Sequence, residues 1–166
     1  MVGIFWLLIP AAAGWAVSLV PKQAEERLGL ATRDQIVDLI GKIGNAGQPP
    51  VCIDSNANRL LARAADELAT AMDSPFKIHL SVVRLDVVNA IALPGGQIVL
   101  LSSLIDKAAN GDELAGVIAH EIAHVVRRDP LHVAVMRAGA AAMIGLVIGD
   151  FTGGVIASGL VSAAIK

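Results

Sequence analysis

The sequence predicts an α+β fold that is mostly helical, with a small antiparallel sheet. Apolar residues recur at helical spacing over residues 32–43 and again over residues 58–72. Residues 77–83 instead alternate apolar and polar side chains, which is typical of a half-buried strand. Residues 113–128 return to a helical pattern, with one polar triplet in an otherwise apolar run. A short strand region between helices therefore defines the fold class.

The composition bounds the size of the protein and its partners. At 166 residues the chain has room for one domain. Its formal net charge of -2 and pI near 6.0 argue against a nucleic-acid partner, which needs a basic face. A hydrophobic content of 55% with only 17% charged residues is too apolar for an ordinary soluble domain, and the excess lies at the two ends. Cys52 is alone, which excludes an intrachain disulfide.

The N-terminal apolar end has the length of a membrane helix. Residues 2–20 contain no charged residue and would span about 28 Å as a helix, close to the roughly 30 Å core of a bilayer. A cleaved signal peptide is the alternative, since residues 11–14 have small side chains. No basic segment precedes the run, however, and the run continues beyond that site. We therefore predict an uncleaved transmembrane anchor over residues 1–21, in contact with membrane lipid.

The folded domain is predicted to occupy residues 22–137. Residues 22–30 are interpreted as a charged linker, and the Thr-Arg-Asp-Gln run beginning at Thr32 is a capping box that starts the first helix. The Gly- and Pro-rich residues 44–50 separate this helix from the second.

The predicted strands surround a tight turn. Residues 86–92 and 97–101 flank a Leu-Pro-Gly-Gly sequence, which predicts two strands that pair around it. The preceding strand, residues 77–83, carries His79 on its polar face. We expect His79 to be solvated and not to be a metal ligand.

The C-terminal apolar end, residues 138–166, is predicted to be a helical hairpin. Gly145 and Gly149 have the GxxxG spacing that allows close approach of helices in lipid. A glycine-rich turn at Asp150 divides the segment into two pieces, each short for a membrane span. Association with the membrane and packing on the domain are equally compatible with this pattern.

The polar triplet in the third helix has the spacing of a metal site. His120 and His124 lie about 6 Å apart along a helix axis, so both imidazoles can reach one tetrahedral metal from the same face. Glu121 is rotated about 100° from His120 and can reach a metal-bound water instead. This HExxH pattern is that of zinc peptidases. A chance match with two hydrogen-bonded core histidines is the alternative, and the apolar surroundings argue against it. Asn110 is the candidate N-cap of this helix.

Two runs in the correct order resemble a known family. They are NAIALPGGQIVLLSSLI and DELAGVIAHEIAHVVRRD. They resemble the HtpX and CAAX-prenyl-endopeptidase family of membrane-associated zinc metallopeptidases, and within it the Oma-type branch. The resemblance covers residues 82–129 strongly and the apolar stretch to residue 150 loosely. It implies a gluzincin-like α+β fold in which the sheet lies beside the HExxH helix.

The resemblance also implies roles for individual residues. His120 and His124 are the implied Zn²⁺ ligands, and Glu121 is the implied catalytic base. A polypeptide substrate is implied to bind as an added strand. The implied function is a membrane-anchored zinc metalloendopeptidase that hydrolyses misfolded or membrane proteins. The implied substrate-binding residues are Asn89, Ala90, Gly95 and Gly96.

The chain departs from the family pattern at two places. Asp129 stands where the family usually has a histidine, a change that we expect to affect packing more than chemistry. The family's third zinc ligand is a glutamate on a later helix, and no glutamate follows Glu121. A metzincin site is excluded because Pro130 stands where its third histidine would fall. His132 and Asp150 are unconvincing substitutes. We therefore expect a chain truncated before its third ligand, which binds zinc weakly and is itself inactive.

Two other functions stay open on the sequence alone. One is an inactive membrane-anchored module that binds peptides without a complete metal site. The other is a two-histidine metal-binding protein that solvent or a partner chain completes. An extracytoplasmic, periplasmic domain is preferred, although few basic residues flank the anchor to set its orientation. No oligomeric state is predicted.

Overall fold

The computed structural model describes residues 14–43, 51–52 and 55–137, and the elements of this part follow the predicted order of helices, sheet and helices. Short helical segments at residues 14–19 and 129–137 flank the labelled elements. The predicted break at residues 44–50 and the predicted hairpin at residues 138–166 lie outside the described residues. The elements are α1 (Lys22–Ile43), α2 (Ser55–Ala71), β1 (His79–Val83), β2 (Ala90–Ala92), a 3₁₀ turn (Pro94–Gly96), β3 (Gln97–Leu101), α3 (Ser102–Lys107) and α4 (Gly111–Val126).

The sheet has three strands in the order β1-β3-β2 and is mixed. β2 and β3 pair antiparallel around the 3₁₀ turn, as predicted, with Ala92 opposite Ile98. β1 pairs with β3 in the parallel direction, with His79 opposite Gln97. The prediction of an antiparallel sheet was therefore wrong for β1. An alternating pattern reports which face of a strand is buried, but it does not report the direction of the neighbouring strand.

The central strand β3 is buried along its whole length, between two helical layers. Ile98 and Leu100 pack with apolar residues of α2 and α4 on one face of the sheet. Val99 and Leu101 pack with Ile36 of α1 on the other face. Helix α4, which carries His120 and His124, is thus fixed against the sheet by the apolar core.

Helix α1 begins ten residues earlier than the capping box indicated, at Lys22. The prediction of a charged linker over residues 22–30 was wrong. The buried positions of α1 include Glu25, Leu28 and Thr32, so one face of the segment is inside the protein at helical spacing. The Thr32 hydroxyl donates to the Leu28 carbonyl at 2.8 Å, within the helix, and does not act as a cap.

Helix α1 lies directly on the turn between β2 and β3. A Cβ atom built on Gly29 would overlap the carbonyl oxygen of Pro94, and one built on Gly95 would overlap the backbone of Glu26. Gly95 also has φ +63°, which side chains other than glycine rarely adopt. The contact is therefore backbone against backbone, and it fixes the position of the turn and of β2.

A buried ion pair reinforces this contact. The Glu25 side chain is 1% exposed, and one carboxylate oxygen accepts from the Arg128 Nε at 2.7 Å. The other oxygen accepts from the Gly95 amide at 3.4 Å. Burial raises the pKa of Glu25, and the Arg128 guanidinium offsets part of that increase. Arg128 also donates to the Val20 carbonyl at 3.0 Å, so one carboxylate and one guanidinium join four parts of the chain.

The part of the predicted anchor that the structure describes is the helical segment 14–19, since residues 1–13 lie outside the described residues. Val17 and Val20 pack with Leu131 and Ala134 of the segment 129–137. Within the described residues, no helix combines the length and the apolar character that crossing a bilayer requires.

Replacing Arg128 by Met tests the ion pair. Glu25 then loses its cation inside the protein, and we expect a loss of about 3–5 kcal/mol in the free energy of unfolding at neutral pH. The pKa of Glu25 is raised above 4.5 in the folded protein. Between pH 4.5 and that raised pKa the folded state binds more protons than the unfolded state, so stability falls as pH rises through this window. Without Arg128 the window extends to higher pH and the fall is larger.

Urea unfolding at pH 5 and pH 8 measures this difference. Arg33→Met is the matched control, because Arg33 pairs with Asp34 on the exposed side of the same helix and should change stability by less than about 1 kcal/mol. Equal effects of the two substitutions at both pH values would contradict the account.

Candidate metal centre

Helix α4 carries the candidate metal centre and has well-defined ends. The Glu113 amide donates to the Asn110 side chain at 2.9 Å, which confirms Asn110 as the N-cap. The Glu113 carboxylate in turn accepts from the Ala109 amide at 2.7 Å. At the other end Arg128 has φ +57°, a left-handed conformation, and the chain starts a new helical segment at residue 129. Pro130 therefore lies in the first turn of that segment, where its missing N–H is harmless.

The two histidines face each other on α4. The distance between the His120 Nε2 and the His124 Nε2 is 3.2 Å, and the rings are nearly perpendicular, with centroids 4.8 Å apart. Two ligand nitrogens at 2.0–2.1 Å from one tetrahedral Zn²⁺ lie roughly 3.3 Å apart. The side chains therefore already have the spacing that one zinc ion requires. His120 is exposed and His124 is half-buried, so solvent reaches the site.

The protonation state of His124 follows from its neighbours. Its Nδ1 lies 2.8 Å from the Asp129 Oδ2 and 3.0 Å from the Arg127 Nη2. A carboxylate only accepts and a guanidinium only donates, so Nδ1 cannot hydrogen-bond to both. A bare Nδ1 would place its lone pair against the carboxylate oxygen at 2.8 Å, which is repulsive. The contact with Asp129 therefore requires a proton on Nδ1, and in the neutral ring this tautomer has its lone pair on Nε2.

Asp129 is held by the same two partners. Its Oδ2 also accepts from the Arg127 Nε at 2.9 Å. Burial acts to raise the pKa of Asp129, but the hydrogen bonds from His124 and Arg127 outweigh it and lower that pKa. Asp129 is therefore a carboxylate at neutral pH, as the hydrogen bond from His124 requires.

Within the described residues, His120 and His124 are the two candidate ligands of this centre. Among residues 14–43, 51–52 and 55–137, no group of three or more His, Cys, Asp or Glu side chains is placed to hold a metal. His132 lies against the backbone of Gly14, with its Cε1 3.9 Å from a Cβ built there. Asp150 lies outside the described residues. The two imidazoles are suitable zinc ligands, but they make only part of a complete zinc site.

A cavity of about 410 Å³ lies between α4 and the strand β2. Its walls combine the metal-site side chains with the backbone of the strand, so a ligand in it would contact both. The lining residues are Asn89, Ala90, Ile91, Ala92, Leu93, Glu121, His124, Asp129, Pro130 and Val133.

Strand β2 is an edge strand of the sheet: one side pairs with β3, and the opposite side is not paired with another strand among the described residues. The Leu93 amide donates to the Gln97 carbonyl at 2.8 Å, and the Asn89 carbonyl accepts from the Leu101 amide at 3.1 Å. The backbone groups of the residues between these pairs alternate, so those of Ala90 and Ala92 face outward. The Ala92 amide donates to the Glu121 Oε2 at 2.9 Å. Glu121 is thus bonded to the strand edge and lines the same cavity as His124.

The structure brings together only part of the predicted substrate-binding set. Asn89 and Ala90 line the cavity, and the Ala90 amide donates to the Asn89 side chain at 2.9 Å. Gly95 and Gly96 are buried instead, Gly95 against α1 and Gly96 against the carbonyl of Lys77. They shape the turn that positions the strand edge. His79 is exposed, as predicted, away from the metal centre.

Two residues of the site were missed by the sequence analysis. Ala92 contributes a backbone amide, which no side-chain pattern reveals. Asp129 was expected to affect packing, yet its carboxylate binds the ring of His124. The only available signal was an acidic residue five positions after His124, directly behind two arginines.

The sequence is similar to those of known peptidases. The sequence profile of peptidase family M48 matches residues 55–165. The β-barrel assembly-enhancing protease of Yersinia pestis is 42% identical over 76 residues, which are 46% of this chain and 14% of that protein. The mitochondrial metalloendopeptidase OMA1 of Saccharomyces cerevisiae is 40% identical over 67 residues, 39% of this chain and 19% of that protein. The matched stretch thus spans about a fifth or less of these curated relatives.

The zinc affinity of the chain tests the histidine pair. We expect weak binding with one zinc per chain, because catalytic sites ordinarily supply three protein ligands. His120→Ala and His124→Ala should each abolish it, whereas His79→Ala, which removes an exposed histidine of β1, should leave it unchanged. Isothermal titration calorimetry makes the measurement. Tight binding that the His120 substitution abolishes would show that a third ligand exists within the chain, with His132 and Asp150 the first to test.

Proposed function

The chain belongs to peptidase family M48, and from this premise we propose that it is the catalytic part of an Oma-type, zinc-dependent metalloendopeptidase. The observation that carries the proposal is the position of Glu121. Its carboxylate accepts a hydrogen bond from the edge of a strand and lines the same cavity as His124, whose Nε2 lies at zinc spacing from that of His120. Binding and chemistry are then served by neighbouring groups in one cavity.

Zinc is the proposed cofactor, held by the Nε2 atoms of His120 and His124 together with a ligand beyond the described residues. When bound, zinc supplies a Lewis acid that polarises a peptide carbonyl and makes water a better nucleophile at neutral pH. The 3.2 Å spacing of the two nitrogens supports this assignment.

Glu121 is the proposed general base and then general acid. Its position on α4, one residue after His120, rotates it by about 100° from that side chain, and its carboxylate lines the cavity together with His124. It can accept a proton from the attacking water and deliver it to the leaving amine. The hydrogen bond from the Ala92 amide fixes one carboxylate oxygen and leaves the other for this transfer.

The substrate is proposed to be an extended polypeptide that adds to the edge of β2. The outward carbonyls of Ala90 and Ala92 can accept hydrogen bonds from a peptide, whereas their amides already donate to the side chains of Asn89 and Glu121. Main-chain hydrogen bonds to such an edge position a peptide with little sequence selection. Asn89 lies at the start of this edge and can contact the same peptide. This mode supports misfolded or membrane proteins as the substrate class, and the relative named for enhancing β-barrel assembly supports it further.

Anchoring in a membrane with an extracytoplasmic catalytic domain is also proposed. The uncharged run over residues 2–20 and the naming of one relative as mitochondrial and of others for β-barrel assembly support a place close to a membrane. Retention in the membrane fraction through a carbonate wash is the expected result. A soluble form that begins near Gly14 or Ala16 would show a cleaved signal peptide instead.

One observation favours a second function. Within the described residues, no three His, Cys, Asp or Glu side chains are grouped to hold a metal, as expected for an inactive peptide-binding module. Such a module binds peptides equally well with and without a chelator, whereas a peptidase loses hydrolysis when the chelator removes its zinc.

Glu121→Gln is the test of the base in the natural, metal-loaded protein. Glutamine keeps an oxygen that can accept from the Ala92 amide, so the geometry is retained and only the basic carboxylate is lost. We expect hydrolysis to fall by about 10²–10⁴-fold, with the zinc content unchanged. Cleavage of an unfolded protein substrate, together with zinc analysis of the same sample, measures both.

The matched control is Glu113→Gln. Glu113 lies on the same helix and its carboxylate also accepts a backbone amide, that of Ala109. The Glu113→Gln variant should retain activity. Substantial activity in Glu121→Gln would remove Glu121 from the role of base.

A further inference from the structure

We propose that Asp129 is a positioning residue of the metal centre, whose carboxylate fixes the tautomer and the ring orientation of His124. This inference rests on the proposed zinc site. It assigns a task to a residue that stands where the resembled family usually has a histidine. Asp129 does not itself touch the metal or the substrate, and it acts through His124.

The contact has the geometry that the role requires. The Asp129 Oδ2 accepts the Nδ1 proton of His124 at 2.8 Å. The same oxygen accepts from the Arg127 Nε at 2.9 Å, so the carboxylate is itself held in place. With Nδ1 protonated and turned towards Asp129, the neutral ring has its lone pair on Nε2, the atom that lies 3.2 Å from the Nε2 of His120. A carboxylate behind a ligating imidazole also raises its basicity as a ligand.

The backbone places Asp129 in this position by interrupting the helix. In a continuous α-helix, residue 129 would be rotated by about 140° from His124, on a different face. The left-handed conformation of Arg128 ends α4 and turns the next residue back towards the ring. That conformation is sterically unfavourable for a residue other than glycine. The side chain of Arg128 is held by Glu25, so the buried ion pair stabilises the turn that delivers Asp129.

Asp129→Asn separates this role from a purely structural one. Asparagine has the same size and begins a helix as well as aspartate does, so the segment 129–137 should form normally. It offers His124 a neutral acceptor in place of a charged one. Asp129→Ala removes the acceptor altogether. Asp112→Asn is the control, because Asp112 is an acidic residue in the first turn of α4, at the opposite end of the helix.

Two measurements on each protein give the test. Nitrogen-15 NMR of the histidine rings, in the metal-free protein at pH 8, reports which nitrogen of His124 carries the proton. A zinc titration followed by the same signals reports the affinity. We expect His124 to be protonated on Nδ1 in the wild type and to become a mixture of tautomers in Asp129→Ala. Zinc affinity should fall by about 10–100-fold in Asp129→Asn and stay unchanged in Asp112→Asn.

The outcomes separate this inference from the proposed function. If His124 carries its proton on Nδ1 equally in the wild type and in Asp129→Ala, or if Asp129→Asn binds zinc as tightly as the wild type, the inference is overturned. If the wild type binds no zinc at the histidines, the proposed function fails. The tautomer measured without metal still decides whether Asp129 orients His124. A loss of stability alone, without a change in tautomer or affinity, makes Asp129 a structural residue and contradicts the inference.

Discussion

The burial of the Glu25 carboxylate determines how helix α4 and strand β2, the two walls of the candidate site, are positioned. Glu25 is 1% exposed, and a carboxylate removed from water to that degree must be paired and hydrogen-bonded. It finds the guanidinium of Arg128 at the end of α4 and the amide of Gly95 in the turn before β3. One wall of the cavity belongs to the strand before that turn, and the other to α4. The carboxylate therefore connects the segments that carry both walls.

The candidate catalytic groups are close together in the sequence, but their arrangement depends on the rest of the fold. The helix places His120 and His124 on one face, because residues four apart share a helical face, and their Nε2 atoms lie 3.2 Å apart. The strand edge meets Glu121 from a position 29 residues away, and Asp129 is hydrogen-bonded to the ring of His124. The turn of β2 is fixed by glycine contacts with α1, and Asp129 is delivered by the left-handed Arg128. A change that loosens the packing of α1 should consequently also disorder the candidate metal centre.

The features predicted correctly from the sequence are those encoded locally. Asn110 capped α4 as expected, and the strands paired around the predicted Pro94–Gly96 turn, because caps and turns depend on a few neighbouring residues. The first half of α1 was misread as a linker, since Glu25 is made tolerable inside the protein by a partner 103 residues away. The parallel direction of β1 and the contact of Asp129 with His124 likewise depend on tertiary geometry, which periodicity does not report.

The central claim is that the Nε2 atoms of His120 and His124 jointly hold one zinc beside the edge of β2. Anomalous diffraction at the zinc edge, from crystals of the zinc-loaded protein, tests it most directly. The account predicts one peak at about 2.0–2.1 Å from both Nε2 atoms, with the His124 Nδ1 still bonded to Asp129. A zinc ion bound through Nδ1 of either ring, or to only one of the two histidines, would contradict it.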